Sequence, residues 1–258
     1  MHTNRRPLLW SLAIGLIFLP LFGSSAKAFK STNSCSSPKP GRYVVMGQGS
    51  HKGVPIARLF LEEWKADGLI KGIYFKRDGK NFQEGVYSGS WRSNSNCVVS
   101  ISRLLENKNS TTWAVIDQHG LPHYSLFSVP RTVLTMTYLE QGVAPCNSDT
   151  LDGVILSQQK GLSYKAGKWL PNVVVQREIW DQGVVQGLAL TSNNGAIESL
   201  NYTGNIEVEP NCTARIKEVN SQGVPFTYRA VVLSDGKGYI YLQTEGEDLT
   251  LGILERSY

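Results

Sequence analysis

The chain contains an internal duplication, and this feature constrains its fold more than any other. Residues 87–97 read YSGSWRSNSNC, and 115 positions later residues 202–212 read YTGNIEVEPNC. Residues 67–72 match 182–187 and residues 134–140 match 249–255 at the same shift, while residues 114–120 match 230–236 at a shift of 116. Four collinear matches predict two domains of one fold, joined head to tail.

The N-terminus has the pattern of a secretory signal. Arg5 and Arg6 precede an uncharged apolar run from Pro7 to Phe22, and the small-x-small triplet at 26–28 follows. This predicts a signal peptide over residues 1–28. A retained anchor would need roughly 20 apolar residues, whereas this run is shorter and contains Pro20. We therefore expect a periplasmic or extracellular protein with no membrane span after signal removal.

The net charge argues against a nucleic-acid partner. Arg5, Arg6 and Lys27 leave with the signal, so three of the 26 basic residues are lost and 23 face 21 acidic ones. The remaining charges are dispersed, and no basic stripe is interleaved with aromatic residues. Nucleic-acid binding needs such a positively charged surface, so we do not expect it.

The four cysteines lie after the predicted signal, two in each repeat: Cys35, Cys97, Cys146 and Cys212. Four cysteines allow three pairings. A single ancestral repeat had only two cysteines to pair in an oxidising compartment. This history predicts the disulfides Cys35–Cys97 and Cys146–Cys212. Zinc is not expected, because no CxxC or Cys–His spacing is present.

Both repeats are rich in strand signals. Short runs of β-branched and aromatic residues alternate with Gly, Asn, Asp, Pro and Ser about every ten residues. The predicted strands of the first repeat are 42–48, 57–64, 70–77, 83–92, 97–104, 111–117, 122–128 and 133–140. Those of the second are 152–159, 172–180, 184–191, 197–208, 212–219, 226–234, 238–244 and 248–256. Leu59 to Ala66 could form a helical turn, but its counterpart 173–180 is strand-like, so we predict strand for both.

Short connections predict antiparallel neighbours, and Asp78-Gly79 and Asn194-Gly195 favour tight hairpins. Eight such strands in each repeat fit an up-and-down barrel, which leaves no exposed sheet edge. A Greek-key sandwich is the alternative, but it needs longer connections. We therefore predict an all-β protein of two tandem eight-stranded antiparallel barrels, each with one internal disulfide. The first barrel repeat is assigned to residues 29–142 and the second to residues 143–258, after a short linker at 141–145.

A family resemblance rests on two equivalent segments. These are Gly89 and Trp91 before Cys97, and Gly204 and Ile206 before Cys212. The chain resembles a tandem duplicate of the lipocalin-like or calycin-like β-barrels of secreted bacterial proteins, including the allene-oxide-cyclase-like barrels. The resemblance implies a barrel that can hold an apolar ligand, and it transfers no catalytic residue. The sequence departs from lipocalins because their Gly-x-Trp lies on the first strand, whereas here it lies on the fourth.

Residues with catalytic or metal-binding potential are few. Asp117, His119 and His123 surround one predicted hairpin and are candidate metal ligands, but the equivalent residues 234–238 keep no such pattern. We interpret them as a polar turn and expect no metal and no cofactor. Glu62 and Glu63 face opposite sides of a strand and so form no acid/base couple. No Gly-x-Ser-x-Gly elbow is present. We expect no catalytic residue and no enzyme, although a cyclase or isomerase stays open if an ionisable group is buried in a roomy lumen.

Two functions are consistent with these sequence features. The first is a structural or protein-interaction module of the cell envelope, with an envelope protein as partner. The alternative is a binding protein that holds a small apolar ligand in a barrel lumen, since large aromatic side chains can either line a lumen or fill it. Trp91 is replaced by Ile206, and the histidines after the signal are all in the first repeat. If one barrel is functional, we expect the first, with the larger internal cavity.

Overall fold

The computed structural model describes residues 35–94, 96–142, 145–193 and 195–256. The predicted signal peptide and the centre of the predicted linker lie outside these residues. The first eight described strands are β1 Gly41–His51, β2 Val54–Trp64, β3 Leu69–Asp78, β4 Asn81–Ser93, β5 Val98–Leu105, β6 Lys108–Ile116, β7 Pro122–Phe127 and β8 Thr132–Gln141. The next eight are β9 Gly153–Lys165, β10 Lys168–Asp181, β11 Val184–Asn193, β12 Ala196–Val208, β13 Thr213–Asn220, β14 Pro225–Leu233, β15 Gly238–Gln243 and β16 Asp248–Arg256.

The strands close into two barrels. β1 pairs with both β2 and β8, and β9 pairs with both β10 and β16. Each remaining strand pairs antiparallel with its sequence neighbours. The predicted fold class of two up-and-down eight-stranded barrels is therefore confirmed, and so is the strand assignment of the segment that ends at Trp64. The two barrels belong to one compact unit.

Both predicted disulfides are present. Cys35 is bonded to Cys97, and Cys146 to Cys212, with Cα–Cα distances of 5.3 and 5.0 Å. Each bond joins the segment before a barrel to the turn that follows its fourth strand. Cys97 and Cys212 both have positive φ values, 57° and 72°. This equivalence shows that the two turns are built in the same way.

The two predicted hairpin glycines lie in tight turns between strands, although one turn is shifted by one residue from its predicted position. Asp78 still pairs with Asn81, so the loop between β3 and β4 is Gly79 and Lys80 instead of Asp78 and Gly79. Gly79 has φ 58°, and Gly195 in the equivalent β11–β12 turn has φ 90°. A left-handed residue is what a two-residue hairpin requires.

Buried apolar side chains form three clusters. One fills the first barrel and includes Tyr43, Trp64 and Ile101. A second occupies one end of the second barrel around Trp180 and the Cys146–Cys212 disulfide. The third lies between the barrels, where the outer faces of β1–β3 meet those of β14–β16. The two repeats therefore pack through different faces of the same fold.

The strand register corrects the sequence match between β8 and β16. Ser125 pairs with Met136 in the first barrel, and Tyr241 pairs with Gly252 in the second, so β8 and β16 are equivalent at a shift of 116. The shift of 115 expected for residues 134–140 is wrong. A one-residue slip moves every side chain to the opposite face of a strand. Accordingly, Leu134 faces the first lumen, whereas Leu249 packs between the barrels.

Candidate functional site

A buried glutamate is repeated on the inner face of both barrels. Glu62 on β2 is 1% exposed. Its Oε2 accepts a hydrogen bond from Trp64 Nε1 at 2.7 Å, and its Oε1 accepts one from Tyr87 OH at 2.5 Å. Residues 62 and 64 share a face because alternate strand residues do. Glu63 points outward and is exposed, as the sequence predicted.

The second barrel repeats this cluster around Glu178 on β10, which is also 1% exposed. Trp180 Nε1, Tyr202 OH and Tyr239 OH each donate to the carboxylate at 2.7 Å. Both oxygens of Glu178 are therefore hydrogen-bonded, as a buried carboxylate requires. The Glu-x-Trp spacing of β2 and β10 builds the same polar cluster in both lumens.

A glycine beneath each tyrosine makes this arrangement fit. Gly72 pairs with Tyr87 across β3 and β4, and Gly187 pairs with Tyr202 across β11 and β12. A Cβ atom on either glycine would overlap the facing ring. The ring therefore lies flat over the neighbouring strand, and this position brings its hydroxyl to the glutamate.

The residue opposite the glutamate differs in charge between the barrels. Arg103 on β5 is fully buried, and its Nε lies 2.6 Å from Glu62 Oε1. Its other nitrogens donate to Thr112 Oγ1 at 2.7 Å and Tyr138 OH at 3.0 Å. Gly89 pairs with Arg103, and the equivalent Gly204 pairs with Glu218. Glu218, which is also buried, thus occupies the position of Arg103.

This exchange changes the electrostatics of the lumen. In the first barrel, burial lowers the pKa of Arg103, but Glu62 and two tyrosines raise it more, so the net pKa lies well above its ordinary value. In the second barrel, burial raises the pKa of Glu218 well above its ordinary value, and the charge of Glu178 adds to this effect. Burial also raises the pKa of Glu178. Two carboxylates without a cation hold their protons more tightly.

The second lumen contains a cavity of about 460 Å³. Inward side chains of all eight strands line it, and so do Val224 and Gly246 in two hairpin loops. The cavity therefore reaches the end of the barrel that carries these loops. The opposite end is filled by Trp180 and its apolar neighbours. The expectation that the first barrel holds the larger internal cavity is wrong.

The cavity exists because one half of the second lumen has small or polar residues where the first has large apolar ones. Strand register matches the following pairs: Ile56 with Asn172, Phe60 with Gln176, Tyr74 with Ala189, Leu134 with Thr250, and Met136 with Gly252. All five first-barrel residues are in its packed core. The replacements remove side-chain volume and add hydrogen-bonding groups at the same positions.

Two acceptor atoms near this cavity have no hydrogen-bond partner. Gln159 Oε1 and Asn172 Oδ1 are unpaired, and their residues are only 7% and 5% exposed. Their amide nitrogens donate to Gln176 Oε1 at 3.2 Å and Ser163 Oγ at 2.6 Å. A buried unpaired acceptor is unfavourable. Both residues line the cavity, and each oxygen lies against a glycine of the neighbouring strand, Gly252 for Gln159 and Gly161 for Asn172.

The other residues singled out from the sequence do not form a site. His123 Nε2 lies 3.2 Å from Asp117 Oδ2, while His119 contacts Gln118. Within the described ranges, no three His, Cys, Asp or Glu side chains are arranged to hold a metal. No helix in the same ranges is both long and apolar enough to cross a membrane.

Sequence reasoning missed Glu178 and Glu218. A signal for Glu178 was present, because Glu-x-Trp occurs at 62–64 and again at 178–180. Glu218 could be recognised only once the strands were in register, because it matches an arginine.

No protein-family model matches the sequence, and no curated protein matches it significantly. Among solved structures, the chain is similar to a protein of unknown function from the DUF3598 family of Nostoc punctiforme. The identity is 11%, the match covers 85% of this chain and 96% of that one, and the TM-score is 0.27. It is also similar to an AttH candidate from Nitrosomonas europaea, with 8% identity, coverage of 83% and 91%, and a TM-score of 0.24.

Proposed function

We propose that this protein is an exported binding protein that holds a small molecule in the lumen of its second barrel. The observation that carries the proposal is the cavity of about 460 Å³, enclosed by eight strands and reaching one barrel end. Small-molecule sites commonly have volumes in the range of roughly 300–1,000 Å³ and a few converging polar groups. The resemblance to lipocalin-like barrels supports the same function.

The lining favours a ligand with a polar head over a wholly apolar one. An apolar ligand would leave Gln159 Oε1 and Asn172 Oδ1 unpaired. Val174, Leu200 and Phe226 also line the cavity and offer contacts for carbon atoms. Export to the periplasm or the extracellular space fits the two disulfides, because such bonds persist in oxidising compartments.

Native mass spectrometry of protein purified from its own host tests this function. We expect a co-purifying small molecule on the wild-type protein. The matched control refills the lumen with first-barrel side chains, Ala189→Tyr and Thr250→Leu, and should carry no such mass while keeping the wild-type circular dichroism. A wild-type protein without ligand, or a mass that persists in the refilled variant, would contradict the proposal.

A second function, as an interaction module, is favoured by the outer faces. The face of β1–β3 packs on that of β14–β16 within the chain. Each barrel also has a face that is equivalent to the packed face of the other barrel but is not part of this contact. These two faces, on β9–β11 and on β6–β8, expose large apolar side chains. These are Leu156, Val173, Val175, Ile179, Val184, Leu188 and Leu190 on the first and Trp113, Val115, Tyr124, Leu126 and Val133 on the second.

The partner of these faces is a second copy of the chain. Register places Val175 where Leu59 lies, and Leu126 where Leu242 lies, so the exposed faces repeat the two halves of the internal interface. A head-to-tail contact of this kind does not close on itself and adds copies in series.

Sedimentation velocity across a concentration series tests this second function. We expect association that Val175→Glu abolishes. Ile197→Glu is the control, because Ile197 is an exposed apolar residue outside both faces and should have no effect. A wild-type protein that stays monomeric at every concentration would exclude this contact.

A further inference from the structure

The second barrel lacks the cation that the first barrel holds beside its buried glutamate. The Arg103 guanidinium lies against Glu62 and 5.3 Å from the centroid of the Phe60 ring. In the second barrel Glu218 replaces Arg103, and Gln176 replaces Phe60. No ion pair among the described residues involves Glu178 or Glu218. Glu218 lines the open cavity of the second barrel, whereas Arg103 is enclosed between Glu62 and Thr112 in the first.

We propose that the second lumen binds an organic cation, with a guanidinium or ammonium head that pairs with Glu218, the acid at the position equivalent to Arg103. This rests on the proposed function and names the class of its ligand. The head would lie between Glu218 and the Glu178 cluster, and a short carbon chain would extend towards the hairpin loops.

The unpaired atoms support this class independently of the two acids. Gln159 Oε1 and Asn172 Oδ1 are unpaired acceptors of cavity-lining residues, and a donor group of the ligand can reach them once these side chains turn. A guanidinium carries five N–H donors and no acceptor. Hydrogen bonds in which one partner is charged are roughly twice as strong as neutral ones. A neutral ligand that is mainly an acceptor would leave these atoms unpaired.

The aromatic and charged lining also favours a cation. Tyr202 and Tyr228 present phenol rings to the cavity, and ring faces attract cations. Four of the five charged side chains that line the cavity are acidic: Glu198, Glu218, Glu247 and Asp248, with Lys165 as the exception. Like charges at the mouth of a cleft raise the local concentration of the opposite charge.

Binding of a cation must be coupled to proton release. The groups that interact with Glu218 are Glu178 from β10, Tyr202 from β12, Tyr228 from β14, and Tyr239 and Tyr241 from β15. None of them is basic. Since burial and the charge of Glu178 raise the pKa of Glu218, a cation that pairs with its ionised form should bind more tightly as the pH rises.

Isothermal titration calorimetry with n-butylguanidinium and n-butylurea tests the inference. The two probes have nearly the same shape and differ in charge. We expect the guanidinium to bind roughly tenfold or more tightly than the urea, since hydrogen bonds to charged groups are the stronger ones. Titrations in two buffers of different ionisation enthalpy should show proton release with the guanidinium alone.

Three variants identify the site. Glu218→Gln should weaken guanidinium binding roughly tenfold or more and leave urea binding nearly unchanged. Glu218→Arg should abolish guanidinium binding, because the chain then supplies the cation itself. Glu207→Gln removes an exposed acid on the outside of β12 and should bind both probes as the wild type does.

The outcomes separate this inference from the proposed function. Equal affinity for both probes, or unchanged guanidinium affinity in Glu218→Gln, overturns the cation and leaves a neutral small-molecule site. Binding of neither probe at up to roughly 10 mM also overturns the cation, because such weak affinity is no better than nonspecific contact. The proposed function then depends on native mass spectrometry alone.

Discussion

At the scale of single residues, the two lumens differ most in how a buried carboxylate is balanced. Glu62 has a full guanidinium partner, whereas Glu178 has three neutral donors and a second acid nearby. A buried charge without a partner is strongly unfavourable. Each barrel must therefore balance its own buried carboxylate. The first barrel balances its carboxylate with an ion pair, whereas burial raises the pKa of both carboxyl groups in the second.

Arg103→Leu should therefore destabilise the first barrel severely. The change leaves Glu62 buried without its cation, and breaking a buried pair in this way costs about 3–5 kcal/mol. Urea unfolding followed by tryptophan fluorescence measures the loss. Adding Glu62→Gln should restore much of it, because the uncompensated charge is then gone.

Arg215→Leu provides the matched control for this pair. Arg215 makes an exposed contact with Glu84 at 3.4 Å. Exposed pairs contribute at most about 1 kcal/mol. An Arg103→Leu variant no less stable than Arg215→Leu would mean that the buried pair contributes no more than an exposed one.

Glu218→Gln should change how stability depends on pH. The pKa of Glu218 is raised in the fold, whereas an unfolded glutamate has a pKa of about 4.3. The folded state then keeps a proton that the unfolded state releases. The contribution of the neutral carboxyl is full below the unfolded pKa and is lost as the pH rises through the folded pKa.

Urea unfolding at intervals from roughly pH 5 to 8 measures this linkage. The wild type should lose stability across the range, and Glu218→Gln should lose less because an amide does not ionise. Glu198→Gln, at the exposed rim, should follow the wild type. Identical slopes for Glu218→Gln and the wild type would contradict the raised pKa.

At the scale of strands, alternation of residue types and turn chemistry were sufficient to place every strand of the fold. The register of the last strand was harder. Six residues separate the paired Arg103 and Ser110 across the β5–β6 turn, whereas seven separate the equivalent Glu218 and Phe226 across the β13–β14 turn. This difference shifts all later equivalences by one residue. A sequence match cannot show such a shift when both faces of β16 are apolar, as at Leu249 and Leu254.

Gly187→Ala tests how β11 and β12 position the site. The added Cβ would overlap the Tyr202 ring, so the ring must move and release Glu178. Overpacking of this kind costs roughly 1–3 kcal/mol. Urea unfolding measures the loss, and near-UV circular dichroism reports the movement of the ring.

Gln186→Ala on the same strand is the control, because Gln186 points outward and is exposed. It should keep both the stability and the near-UV signal of the wild type. If Gly187→Ala behaves in the same way, the glycine has no part in placing the tyrosine.

At the scale of the whole molecule, duplication predicted two barrels and two disulfides but could not show which lumen is hollow. Cavity volume depends on inward residues from eight strands together. Tyr74 and Ala189, or Met136 and Gly252, are informative only when their register is known. Cysteine pairing was predictable because it follows from the repeat alone.

The first barrel also supports the site in the second. Arg77 is fully buried and donates to the carbonyls of Gln243, Glu245, Gly246 and Asp248, with Nη1 3.2 Å from the first and 3.3 Å from the second. These carbonyls belong to the β15–β16 loop and its flanks, and four residues of that segment line the cavity: Gln243, Gly246, Glu247 and Asp248. One side chain thus joins the barrels and fixes part of the rim.

Arg77→Met should uncouple the two barrels. The change keeps an unbranched apolar stem but leaves four carbonyls of the second barrel without their donor, and each unpaired group costs about 1–3 kcal/mol where it stays buried. Differential scanning calorimetry should show a lower first midpoint and a separate transition for each barrel. Affinity for n-butylguanidinium should also fall, because the rim loop loses its support.

Lys80→Met is the control, since Lys80 lies on the same hairpin and contacts Glu247 of the same loop at 3.0 Å. Both side chains are about half exposed or more, so their pair contributes little. If Arg77→Met keeps one transition at the wild-type midpoint, the apolar cluster between the barrels holds them together without the arginine. The rim of the cavity would then be fixed by the second barrel alone.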